Sequence, residues 1–268
     1  MKLFDVILVN PPFRNNDGSS TKTAPGGGTR NLFSKFASQY TDLVKQDGYI
    51  FAVTPPGLFK TTNTNRSNYL NHLNNYNFYL NYINLNENDN HFRVGTPICS
   101  WLASSKKSNI TVISGNDQIE LSESISYIPV VCNTTSISIR DKMHNLHNSV
   151  NLNLIRDRKP STFKGGISFG SLLSGNNKLK VFTDNSILHK SGCLSLECNN
   201  PEQYKILFES KLFKFWFVMH RYNGSIYRIF MNLIKIPKDL PNIKSDLDIY
   251  NMYNLTQEEI NYIENAIK

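Results

Sequence analysis

Cysteine is scarce and unpaired in this chain: Cys99, Cys132, Cys193 and Cys198 are the four among 268 residues, and none forms a C-x-x-C. That spacing gives no disulfide framework and no zinc knuckle, and it fits a reducing compartment. Histidine is thin as well. His144 and His147 lack the carboxylate and third ligand that a metal motif requires, so no metal is expected. Long apolar runs are missing. Leu3 to Val9 is too short for a secretory leader and contains Asp5. No stretch approaches the ~20 residues of a membrane helix. The expectation is a cytoplasmic chain with no membrane partner.

Acidic residues are the minority, 21 against 29 basic, for a net charge of +8. The excess is local. Between Arg156 and Lys235 stand 13 Lys and Arg against 5 Asp and Glu, so this stretch alone carries +8 and the rest sums to zero. A concentrated positive segment suits a polyanion, because each neutralised phosphate releases a condensed counterion. A basic surface that serves only solubility has the same composition.

Leu3 to Val9 is nearly continuous in β-prone residues, which predicts a strand covered on both faces. It stops at Asn10-Pro11-Pro12. After a polar, glycine-rich stretch from Arg14 to Gly28, the apolar residues between Thr29 and Lys45 recur at helical spacing, with Asp47-Gly48 as the stop. Tyr49 to Thr54 reads as a second buried strand, cut by Pro55-Pro56. Strand, helix and strand in this order form a right-handed crossover in a parallel sheet. A helix over Asn65 to Tyr76 and strands over Phe78 to Asn84, Val94 to Ala103 and Ile110 to Ile113 extend it, with the sheet turning antiparallel toward one edge. Beyond Tyr127 the pattern loosens into glycine-punctuated β-like runs such as Leu179 to Thr183. A helix over Pro201 to Phe217 follows, then a tail helix whose Thr256 and Glu259 form a capping-box pattern. A boundary falls near residues 125 to 150, giving a first domain over 1–125 and a second over 126–268.

Asn10-Pro11-Pro12-Phe13 is the segment that carries chemistry. It sits at the carboxyl end of a strand, the edge at which open α/β sheets bind ligands. An exocyclic amine is a poor nucleophile because its lone pair is delocalised into the ring. Two acceptors, the Asn10 side-chain oxygen and the Pro11 carbonyl, could take its two N–H groups and free that lone pair. The prolines preset the carbonyl direction, so little ordering remains at reaction. Phe13 offers a stacking face for a base, worth about 1–3 kcal/mol. Four residues alone also describe an ordinary proline turn capped by an aromatic.

Phe4-Asp5-Val6-Ile7 leading into Asn10-Pro11-Pro12-Phe13 resembles the catalytic motif of amino-methylating DNA methyltransferases, especially the gamma class of N6-adenine enzymes from restriction-modification systems. Asp47 to Pro55 looks like the family's next strand. His91 to Thr96 looks like its later motif, in which Phe92 matches the aromatic that packs on a flipped adenine. Ile234 to Pro237 and Leu255 to Ile260 are similar to the tail of phage and type II adenine methylases. The resemblance implies the carboxyl half of a Rossmann-like methyltransferase sheet followed by a mixed α+β target-recognition region. It also implies S-adenosylmethionine as co-substrate, double-stranded DNA as partner, and a bacterial or phage-infected cell. The family's glycine-rich donor loop precedes the catalytic motif, and these 268 residues contain no strand, glycine-rich turn and helix in that relation. Donor binding is therefore expected from a second subunit or through self-association. Gly165 to Gly170 lies where the family's target-recognition region falls and reads as a loop that approaches DNA, or as a plain turn.

In the basic segment, Arg156, Arg158, Lys159, Lys164, Lys178 and Lys180 stand near glycines as candidate phosphate contacts. Arg221, Tyr222 and Arg228 follow the helix as further DNA contacts. Phe213, Trp216 and Phe217 read as core. Two other functions compete with adenine methylation: a DNA-binding specificity module without activity, and methylation of a protein amide, since the tetrapeptide suits any planar NH2 group.

Overall fold

The computed structural model describes residues 3–11, 32–60, 69–86, 98–157, 159–170, 179–184, 186–188, 192–220 and 233–267. The chain divides into two compact units, Met1–Ile128 and Pro129–Lys268.

The first unit is a six-stranded mixed sheet with helices. Its elements are β1 (Phe4–Val9), α1 (Leu32–Leu43), β2 (Val44–Thr54), α2 (Tyr69–Asn75), β3 (Tyr79–Asn84), β4 (Cys99–Ser104), β5 (Ile110–Ser114) and β6 (Asp117–Leu121). The spatial order is β1-β2-β4-β3-β5-β6. β1 pairs parallel with β2, and β3 parallel with β5. β4 is antiparallel to both β2 and β3, and β6 is antiparallel to β5. Thus β1, β2, β3 and β5 point one way, and the antiparallel element expected at an edge lies inside the sheet as well, as β4.

One face of this sheet is sealed. Ile7, Ile50, Ala52, Trp101, Ala103, Leu80 and Val112 are all buried there. Two helices lie over it: the Tyr69 ring of α2 sits 5.4 Å from Trp101, and its hydroxyl donates to the Ala37 carbonyl of α1 at 3.0 Å. The opposite face alternates with it and is open at the β1 end, where Phe4, Val6, Leu8 and Tyr49 are exposed. The expectation that β1 is covered on both faces is therefore wrong, because β1 occupies the edge of the sheet.

Asp47-Gly48 does not end α1, which stops at Leu43 and passes directly into β2. Register instead jumps from Phe4↔Val44 to Val6↔Tyr49, so residues 45–48 form an irregularity in β2. Gly48 is needed there by close approach: a Cβ would stand 2.6 Å from the Asp5 carbonyl and 2.7 Å from Val44 Cγ2.

The second unit holds a four-stranded antiparallel sheet, packed with helices around an apolar core. The elements are α3 (Thr134–His144), β7 (Ser149–Asn151), β8 (Ile155–Arg156), β9 (Gly166–Gly170), β10 (Val181–Phe182), β11 (Cys193–Glu197), α4 (Pro201–Glu209), α5 (Lys211–Met219), β12 (Lys235–Pro237), α6 (Asp246–Met252) and α7 (Gln257–Ala266). The sheet order is β10-β9-β11-β8, and β7 pairs with β12. The single helix expected over Pro201 to Phe217 is two, because Ser210 adopts an extended backbone and caps α5 by accepting from the Phe213 amide. Phe213, Phe215, Trp216 and Phe217 are core, as expected. α7 starts at the anticipated Thr256–Glu259 capping box. Glu259 does more than cap: its buried carboxylate accepts from Ser138 and Lys142 of α3, each at 2.7 Å.

Candidate functional site

Asn10 and Pro11 emerge from the carboxyl end of β1, one strand spacing from β2. Val9 pairs with Ala52, so Asn10 lies level with Val53 at roughly 4.8 Å between strands. Asn10 is exposed and Pro11 is buried. Among the described residues the Asn10 carboxamide makes no hydrogen bond, so its oxygen stays available as an acceptor. Pro12, Phe13 and Phe92 lie outside the described residues.

The neighbouring strand end is locked, through residues that belong to no motif in the sequence. Thr54 Oγ1 accepts from Trp101 Nε1 at 3.0 Å, and Cys99 Sγ donates to the Thr54 carbonyl at 3.2 Å. Trp101 packs edge-on against Phe59 and Tyr69, with centroids 5.5 and 5.4 Å away. All of these are buried. Burial also drives the Tyr69 hydroxyl well above its ordinary pKa and pushes the Tyr40 hydroxyl up to about 12, so both stay neutral. The floor beside Asn10 is thus apolar and uncharged. The signal for Trp101 is its place in the apolar run predicted as a strand; its hydrogen bond to Thr54 has no signature in sequence.

The basic candidates fall at two ends of the second sheet. Arg156 pairs with Leu194, which pairs with Phe169, while Lys180 precedes Val181, also paired with Phe169. Arg156 and Lys180 therefore share one end of the sheet, on opposite edge strands roughly 14 Å apart by strand spacing. Lys164 stands before β9 at the other end, with its amide donating to Glu197. Arg156, Lys159, Lys164 and Lys180 are all exposed. Arg156 Nε sits 3.4 Å from Asp157, and Lys180 Nζ lies 5.2 Å from the Phe182 ring centre. Arg158, Lys178, Arg221, Tyr222 and Arg228 lie outside the described residues.

Gly165 to Gly170 is not a loop reaching for DNA. Gly166 to Gly170 is β9, and residues Gly166 to Phe169 are buried between β10 and β11. Gly166 has φ +141°, and a Cβ on it would meet the Leu196 carbonyl at 2.1 Å. Strand packing requires that glycine.

Among the described residues no group of three or more His, Cys, Asp or Glu could hold a metal ion, and no helix is long and apolar enough to cross a membrane. The four cysteines are free. A groove of about 760 Å³ opens in the second unit between α3 and Tyr253–Asn254. Two of its polar side chains, Ser138 and Lys142, are engaged by Glu259, and the groove reads as architecture.

No family model and no curated protein matches the chain. Among solved structures, a chain from a type I restriction-modification system is similar over 53% of this chain at 15% identity, with a TM-score of 0.30. This chain spans 29% of that chain.

Proposed function

We propose that the chain is the catalytic and DNA-reading part of an enzyme that methylates the exocyclic amine of adenine in duplex DNA. The observation that carries this is Asn10: an exposed, uncommitted carboxamide followed by a buried proline, at the carboxyl end of a strand in a parallel pair. The order of the first sheet supports it. The second half of a doubly wound sheet has three parallel strands in chain order, with the ligand crevice beside the first. β1, β2 and β3 have that order and direction, with β4 inserted antiparallel between the last two.

In this reading the adenine leaves the stack, at a cost of a few kcal/mol, and its amine enters beside β1. The Asn10 oxygen and the Pro11 carbonyl accept its two N–H groups, which draws the nitrogen toward tetrahedral geometry and frees the lone pair. Phe13 and Phe92 supply the stacking faces. S-adenosylmethionine supplies an electrophilic methyl group when bound; no described residue is assigned to holding it. The nitrogen takes that methyl group and loses one proton toward its acceptors. Arg156, Lys159, Lys164 and Lys180 hold phosphates.

The test is made in cells without adenine methylation of their own that carry the locus encoding this chain. Nucleoside mass spectrometry is expected to find N6-methyladenine with the natural chain and none with Asn10→Ala. Methylation undiminished by Asn10→Ala would reject the assigned chemistry.

A further inference from the structure

We infer that β1 is a docking edge for a strand–helix unit of a second polypeptide, which pairs parallel to β1 and completes the crevice beside Asn10. The consequence for the crevice rests on the reading of Asn10 given above; the docking itself rests on three features of the first unit.

The first is the ladder. β1 pairs with β2 on one side and is the last strand of its sheet on the other. Its outer row of main-chain donors and acceptors is complementary to another extended chain. β1 also lacks the devices that blunt an edge: it contains no proline and no lysine, and its one charge, Asp5, is paired with Lys45 at 2.6 Å.

The second is the open face. Phe4, Val6 and Leu8 are 54, 50 and 73% exposed, and Tyr49, level with Val6, is 50% exposed. These four side chains form one apolar patch on a single face of the sheet. Pairing with another strand alone leaves that face wet. A second copy of this chain, joined edge to edge, would bring the same bare face with it. A strand followed by a helix closes both the ladder and the face.

The third is handedness. α1, in the crossover from β1 to β2, lies on the sealed face, together with α2. Right-handed crossovers keep helices on one face while the strand order advances in one direction, and switch faces when it reverses. A parallel unit added beyond β1 winds in the reverse direction, so its helix falls on the Phe4-Val6-Leu8-Tyr49 face. The reversal point is also where open α/β sheets bind ligands, and it lies beside Asn10. A parallel partner strand brings its own carboxyl-end loop to that point, in position to hold a nucleoside-bearing methyl donor.

The test uses the full chain with a photo-cross-linking phenylalanine analogue replacing Leu8, or replacing Leu247 in the second unit as a control, in cells carrying the native locus. Cross-links from position 8 are expected to reach a strand–turn–helix segment of a different polypeptide, identified by peptide sequencing. Tritiated S-adenosylmethionine is expected to bind the purified pair at least tenfold more tightly than the chain alone. Leu8→Glu, at an exposed side chain, is expected to abolish pairing while leaving circular dichroism unchanged. Cross-links to a second copy, or to no polypeptide, overturn the proposal, as does pairing undisturbed by Leu8→Glu. A pair that forms as described but methylates nothing retains the docking and rejects the transfer reading.

Discussion

Gly48→Ala joins packing to chemistry in one substitution. The added methyl would stand 2.6 Å from the Asp5 carbonyl, 2.7 Å from Val44 Cγ2 and 3.1 Å from the Lys45 carbonyl. Two of these three neighbours are backbone, so relief requires β1 and β2 to separate. Forcing a methyl into such a site costs about 1–3 kcal/mol. The cost falls on the β1–β2 ladder, so amide exchange from Phe4 to Val9 should speed up by roughly 5- to 150-fold, at 1.4 kcal/mol per tenfold change. Hydrogen-exchange mass spectrometry on the full chain reads this directly. Gly115→Ala is the control: its Cβ meets nothing within 4 Å, and its φ of +63° strains only the β5–β6 turn. Because β1 carries Asn10, a shift near 1 Å should also lower methyl transfer by about 100-fold. Equal β1 exchange in Gly48→Ala and the natural chain would refute the reasoning.

Three further outcomes are expected. Glu259→Gln keeps the shape of the cap but removes the charge that meets Lys142; burial alone would raise the Glu259 pKa, yet the bonds from Lys142, Ser138 and the Thr256 amide hold it low. The second unit should lose about 1–3 kcal/mol, read by urea unfolding. Burial holds His144 down to about 4 and His220 down to about 3, so the folded unit resists protons that the unfolded chain accepts from about pH 6.5 downward. Stability should be full above pH 6.5 and fall as pH drops toward 4, by up to about 1.4 kcal/mol per pH unit per histidine. His220→Asn should flatten that slope. For duplex binding, Lys180→Ala and Lys164→Ala probe opposite ends of the second sheet; removing one lysine–phosphate pair should reduce the salt slope by about 0.9 in each case, as measured by fluorescence anisotropy.

Much of the first unit is legible in the sequence because its signals are local. An apolar run stopped by Asn10-Pro11, a helical period and a second run cut by Pro55 translate directly into β1, α1 and β2. What stays hidden depends on neighbours. The exposure of Phe4, Val6 and Leu8 follows from β1 having no partner on one side, a fact that strand residues do not encode. α3 escapes a reading by period because Ser136-Ile137-Ser138-Ile139 alternates like a strand, while an Asn133–Ser136 capping box starts a helix there. Ser210 hides within an apolar and basic run, although its extended backbone divides α4 from α5. At the site, the position of Asn10 at a strand end is readable. The lock of Thr54 by Trp101 and Cys99 is not, because these bonds link residues 45 and 47 positions apart.

The central claim is that the Asn10 oxygen acts on the amine itself. Its most direct measurement is single-turnover transfer of a tritiated methyl group to an adenine-containing duplex, by the chain isolated with its donor-binding subunit, comparing the natural protein with Asn10→Ala at saturating DNA. The account predicts duplex affinity within about twofold and a methylation rate lower by about 100-fold or more. Equal rates would contradict it, as would a fall in rate explained entirely by weaker DNA binding.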